Sequence, residues 1–146
     1  MGIFRKKLPE KEWEEMNNTV LSVIKSRDLE KALTYAHNLY NITKKEYGSN
    51  HANSVTAINN LGFIYLMRKE FLKAESYLLL ALETAEKVYG KYSKETALIN
   101  ANLSQLYISK TKEAYEIDAK ANDKFRENDK ELHKLPYAGK CKEAIS

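Results

Sequence analysis

The chain has 146 residues, enough for one domain with its own core, and its 43% hydrophobic and 30% charged residues are those of a soluble globular protein. With only 5 Gly and 2 Pro it is poor material for a β-meander or flexible linkers, and its net charge of +4 comes from Lys interleaved with acidic residues, which makes no cationic face for nucleic acid. No stretch approaches the roughly 20 apolar residues of a membrane span, and the single Cys141 forms no internal disulfide, so a reducing, cytoplasmic location is expected and a membrane partner is not.

Residues 1–9 are read as an N-terminal tail. Its opening, Met1-Gly2-Ile3-Phe4-Arg5-Lys6-Lys7, turns polar too soon for a signal peptide, and Lys6 stands where a myristoylation signal takes Ser or Thr. Residues 10–133 are read as a helical-repeat domain. Laid on itself with a shift of 42 residues, the chain places Tyr47-Gly48 on Tyr89-Gly90 and Ala32 on Ala74. In the same register Asn18 falls on Asn60 and Asn60 on Asn102, Leu61 on Leu103, and Tyr65 on Tyr107.

The first unit keeps Asn17-Asn18 and the turn Asp28-Leu29-Glu30-Lys31-Ala32, but has Val20 and Val23 where the second has Gly62 and Tyr65. The second unit predicts a helix over 53–67, with Ala57, Ile58, Leu61, Ile64 and Tyr65 at spacings of three and four. Arg68-Lys69-Glu70 is then a polar turn. A second helix is predicted over 71–89, with Ala74, Leu78, Ala81 and Ala85 on one face, Gly90 ending it and Ser93 capping the next. The third unit keeps Asn102-Leu103 and Tyr107, with Ser104 for the glycine. Its next alanine, Ala114, follows Tyr107 by seven residues where Ala74 follows Tyr65 by nine, so its turn is two residues shorter or its helix runs on without a break. Ala114, Ile117, Ala121 and Phe125 continue an apolar stripe, which Leu132 and Leu135 extend. Residues 134–146, with Pro136 and Cys141, are read as a frayed C-terminal tail.

The pattern Ile58-x-x-Leu61-Gly62-x-x-Tyr65 followed by Ala74-x-x-x-Leu78-x-x-Ala81 resembles the tetratricopeptide repeat. The 42-residue period, the stretch Tyr47 to Val55 and Asn59-Asn60-Leu61-Gly62 are similar to the subclass found in kinesin light chains, although Ala52 stands where that subclass often has proline. The resemblance covers about residues 11–121. Armadillo and HEAT repeats share the period but not the Leu-Gly-x-x-Tyr pattern. The fold implied is all-α: a right-handed α-solenoid of antiparallel helix pairs, three units with six or seven helices.

The sequence has no glycine-rich phosphate loop, no His-Glu-x-x-His and no paired cysteines, so neither an enzyme nor a metal or cofactor site is expected. His37, His51 and His133 are scattered, and the resemblance makes His51 a loop-packing residue. The informative feature is the row Asn18, Asn60 and Asn102, with Asn17 and Asn59 preceding two of its members. Asparagine costs a helix interior about 0.5 kcal/mol against alanine, so three at one repeat position require a reason. Their amides either pair with the backbone of an extended peptide or bond neighbouring helices and align the repeats. One turn on lie Leu21, Phe63 and Gln105, then Ile24, Leu66 and Ile108, apolar in part.

In the resemblance, first-helix residues line a concave surface. The groove predicted is therefore Asn17, Asn18, Leu21, Asn59, Asn60, Phe63, Asn102 and Gln105, binding a protein or extended peptide as a non-catalytic adaptor. The lysines of a carboxylate clamp are missing, with Leu21, Phe63 and Ala101 in their stead. The alternative readings are a self-associating subunit of a larger assembly and, further off, nucleic-acid binding through the Lys excess.

Overall fold

The computed structural model describes residues 7–134. These form five α-helices and no strand: α1 (Glu10–Lys25), α2 (Leu29–Tyr47), α3 (Ala52–Met67), α4 (Phe71–Tyr89) and α5 (Lys94–His133). They divide into two compact units at the Tyr107–Ile108 boundary.

In the first unit, helix periodicity decides what is buried. α1 buries Trp13, Val20 and Ile24, and α2 buries Ala32, Ala36, Leu39 and Thr43, each a single stripe. α3 is buried nearly all round, from Asn53 to Leu66, because helices cover it on more than one side. α4 turns Ala74, Leu78, Ala81 and Ala85 inward, and α5 contributes Thr96, Ile99, Leu103 and Leu106. Trp13 is 4% exposed, and its indole N–H donates to Thr43 Oγ1 at 2.7 Å, so the polar edge of the largest core residue is satisfied. The predicted tail is anchored at its inner end: Leu8 packs against the core, and its carbonyl accepts from the Tyr47 hydroxyl at 2.9 Å.

The same devices end and begin the helices 42 residues apart. Arg27 and Lys69 close α1 and α3 in the left-handed region, at φ 65° and 61°. Gly48 and Gly90 end α2 and α4 at φ 81° and 90°, where a side chain is disfavoured. Each glycine carbonyl accepts from a hydroxyl of the following helix, Ser54 Oγ at 2.5 Å and Thr96 Oγ1 at 2.8 Å. Ser93 caps α5 as expected, its Oγ accepting from Thr96 N at 3.1 Å.

The third unit departs from the expected six or seven helices. In place of a hairpin stands one unbroken helix of 40 residues, so the described residues hold five helices. The position equivalent to Arg27 and Lys69 is Thr111, whose β-branched side chain resists a left-handed backbone. Lys112 replaces Asp28, whose carboxylate accepts from Lys31 N at 3.1 Å at the start of α2. No glycine or proline interrupts residues 91–135, and Lys, Glu and Ala favour continuation. In the second unit every described residue from Thr111 on is exposed. The calls on residues 1–6 and 135–146, including Cys141, lie outside the described residues.

The α3–α4 contact is set by Gly62. A Cβ there would stand 2.7 Å from Cγ and Cδ2 of Leu78 and 3.2 Å from its backbone N, and Leu78 is fully buried. Gly62→Leu is expected to cost about 1–3 kcal/mol. Gly62→Ala is expected to be destabilising too, although alanine favours a helix by about 1 kcal/mol. Thermal melting checks both, and an alanine variant that melts above the parent would show that the helices separate without cost.

Candidate groove on the first helices

Asn60 and Asn102 are not isolated on their helices. Asn60 Nδ2 donates to Asn17 Oδ1 at 2.7 Å, joining α3 to α1, and Asn102 Nδ2 donates to Asn59 Oδ1 at 3.0 Å, joining α5 to α3. Asn60 is 7% exposed, whereas Asn17, Asn59 and Asn102 are half-buried. The first helices of successive pairs are thus tied side by side through amide–amide bonds. Each bond uses one donor and one acceptor of groups that carry two of each.

This arrangement explains where the series begins and ends. Asn18 occupies the donor position, but no described first helix precedes α1, and Asn18 is exposed. Ala101 occupies the acceptor position on α5, and no described first helix follows it. Periodicity found the equivalent positions but could not show that contact joins residues 43 apart instead of 42. The adjacent pairs Asn17-Asn18 and Asn59-Asn60 were the available signal.

One helical turn on, Leu21 is 40% exposed, Phe63 is half-buried and Gln105 is exposed. Asn18, Leu21, Asn59, Phe63, Asn102 and Gln105 therefore share one side of the joined row α1–α3–α5, a mixed amide and apolar strip. A further turn on, Ile24 and Leu66 are buried as core, while Ile108, at the equivalent place, is 62% exposed.

The histidines serve structure. His51 Nδ1 accepts from Asn53 N at 3.1 Å at the start of α3, and its ring stacks on Tyr47 with centroids 4.6 Å apart. His37 is half-buried between helices, its Nε2 2.9 Å from the Tyr65 hydroxyl, its ring edge-on to Tyr77. Tyr65 and Tyr77 stack at 5.4 Å, and Lys73 lies over Tyr65 at the same distance. Burial, and then the charge of Lys73, hold the His37 pKa below its ordinary 6.5. Among the described residues no group of three or more His, Cys, Asp or Glu could hold a metal ion, and no helix is long and apolar enough to cross a membrane.

Helix pairs repeating at 42 residues, with first helices joined in a row, define a helical-repeat protein. Residues 54–121 match the tetratricopeptide repeat family. The chain is similar over 74 residues, 51% of its length, to clustered mitochondria protein homologs: 31% identical in Aspergillus niger, 32% in Aspergillus fumigatus and 31% in Emericella nidulans. The match covers 6% of the length of those relatives. Together these support a tetratricopeptide repeat protein, a kind of fold that generally mediates protein–protein interaction.

Two outcomes follow from this geometry. Asn17→Ala and Asn60→Ala are each expected to lower stability, and a double-mutant cycle should give a coupling of about 0.5–1.5 kcal/mol, since both remove one bond. Additive losses would show that the bond contributes nothing. For His37, the folded pKa lies below the unfolded value, so the unfolded chain takes up the proton first on acidification. The stability His37 supports is complete above pH 6.5 and is lost as pH falls below it toward the folded pKa. Melting across this window should show the slope, and His37→Gln should flatten it.

Proposed function

We propose that the chain is a non-catalytic adaptor that binds a protein partner through an extended segment laid along the first helices. The observation that carries this reading is the strip of partly exposed apolar and amide side chains on the joined row α1–α3–α5. Leu21 is 40% exposed one turn from the exposed Asn18, and Phe63, one turn on from Asn59, is half-buried. Apolar side chains left at the surface beside amides suit a peptide, whose main chain pairs with the amides while its side chains cover the apolar spots. Within this reading, the amide pairs hold the row in register, and Asn18, Leu21, Phe63 and Gln105 make the contacts. The 42-residue period favours the kinesin-light-chain-like subclass, and the resemblance implies a right-handed course for the array; a cytoplasmic location is proposed with it.

Selection from a random-peptide phage library on the immobilised chain, followed by calorimetric titration of a selected peptide, tests the proposal. Asn18→Ala and Leu21→Ser should each weaken binding by roughly 5- to 150-fold, with the melting temperature unchanged, because both residues are exposed in the free protein. Asn60→Ala should melt early yet bind normally per folded molecule. A selection that returns no peptide, or peptides indifferent to Asn18 and Leu21, overturns the groove.

A further inference from the structure

Between α2, the turn that follows it, α3 and α4 lies a cleft of about 180 Å³. Ile58 and Leu80 make its apolar wall, and the rest of the lining is polar. Two of the polar side chains are already engaged: Ser54 Oγ donates to the carbonyl of Gly48 at 2.5 Å, and Thr84 Oγ1 to that of Leu80 at 2.8 Å. Tyr40, Lys44 and Ser49 also line the cleft. Among the described residues, no hydrogen bond or ion pair engages the Tyr40 hydroxyl, the Lys44 ammonium or the Ser49 hydroxyl. None of the described lining residues is acidic, so Lys44 carries the one charge there.

The next junction, 42 residues on, separates what the repeat requires from what it does not. Gly90 and Thr96 reproduce the carbonyl–hydroxyl bond of Gly48 and Ser54. Leu82 and Glu86 stand where Tyr40 and Lys44 are, so neither the phenol nor the cation belongs to the helix-joining device. Unengaged donors around one cation, with no carboxylate to neutralise it, suit an anion, and the apolar wall suits an alkyl group. A cavity of roughly 150 Å³ takes a benzene, so this one holds a group of about six non-hydrogen atoms.

We propose that this cleft binds the carboxylate end of a short aliphatic chain. The carboxylate accepts hydrogen bonds from Lys44, Tyr40 and Ser49, and the methylenes lie on Ile58 and Leu80. A free short-chain acid and the glutamate side chain of a partner protein share this chemistry. None of the lining residues belongs to the strip on the first helices, so the site stands or falls apart from that strip.

Titration of the full chain with butyrate, followed by amide nitrogen–proton spectra, tests this. The amides of Gly48, Ser49 and Ser54 should shift saturably, and should not shift with sodium chloride at the same ionic strength. Acetyl-glycyl-glutamyl-glycinamide is titrated in parallel: tighter binding than butyrate identifies an acidic side chain as the source, and weaker binding a free acid. Lys44→Gln should weaken binding by about 10-fold or more, with the melting temperature unchanged because Lys44 is exposed. Tyr40→Phe, which keeps the edge-on ring contact with Tyr77, should weaken it by roughly 2- to 10-fold. No saturable shift with either probe, shifts reproduced by chloride, or an affinity undiminished by Lys44→Gln overturns the proposal.

Discussion

The approach of α3 to α4 at Gly62 governs the packing of the first unit. Without a Cβ at that position, Leu78 enters the groove of α3, and Tyr65 can then stack on Tyr77 one turn away. The first pair shows what happens otherwise. Val20 replaces the glycine, and a cleft of about 250 Å³ opens there, lined by Met16, Thr19, Val20, Tyr35, Asn38 and Leu39 of α1 and α2. The crossing thus differs on both sides, with Val20 and Ala36 standing where the second pair has Gly62 and Leu78. The first pair is joined by the hydrogen bond from Trp13 to Thr43, and Arg68 at the end of α3 forms a salt bridge to Glu30 of α2.

What the sequence made legible follows from the same physics. Unit two could be read almost to the residue, because its breakers are unambiguous: a polar turn with Lys69 in the left-handed region and a glycine in that region at Gly90. Helix periodicity reports which residues are equivalent and which face inward, so the core of α4 and part of that of α3 were visible in the pattern. The third unit was harder because its stripe persists while its turn signals vanish. Thr111 and Lys112 supply neither the backbone conformation nor the cap, and a stripe alone cannot distinguish a helix that folds back from one that continues.

The candidate groove shows a different limit. A repeat alignment finds Asn18, Asn60 and Asn102 at one position and invites a single role for all of them. In the structure their surroundings differ. Asn60 and Asn102 each reach back to the preceding first helix, and Asn18, with no such helix to reach among the described residues, is exposed. Alignment of helices is therefore the observed use of the amides at Asn60 and Asn102, and contact with a visitor is a proposal for Asn18. Asn60 belongs to the groove predicted from sequence, and its burial and its bond to Asn17 favour alignment.

The same reasoning about neighbours applies at α5. A solenoid unit buries its faces on the units beside it, so the last described helix keeps more side chains exposed than α3 does among the described residues. Polar substitution is the usual answer, and α5 follows it in part: Asn100, Ser104 and Gln105 stand where α3 has Ile58, Gly62 and Phe63. The substitution is incomplete, since Leu98, Tyr107 and Ile108 remain exposed on the same helix, and Tyr115, Ile117 and Phe125 follow. The exposed apolar positions lie among polar ones, Asn100, Ser104, Thr111 and Asp118, so the exchange of apolar for polar side chains along this helix is only partial.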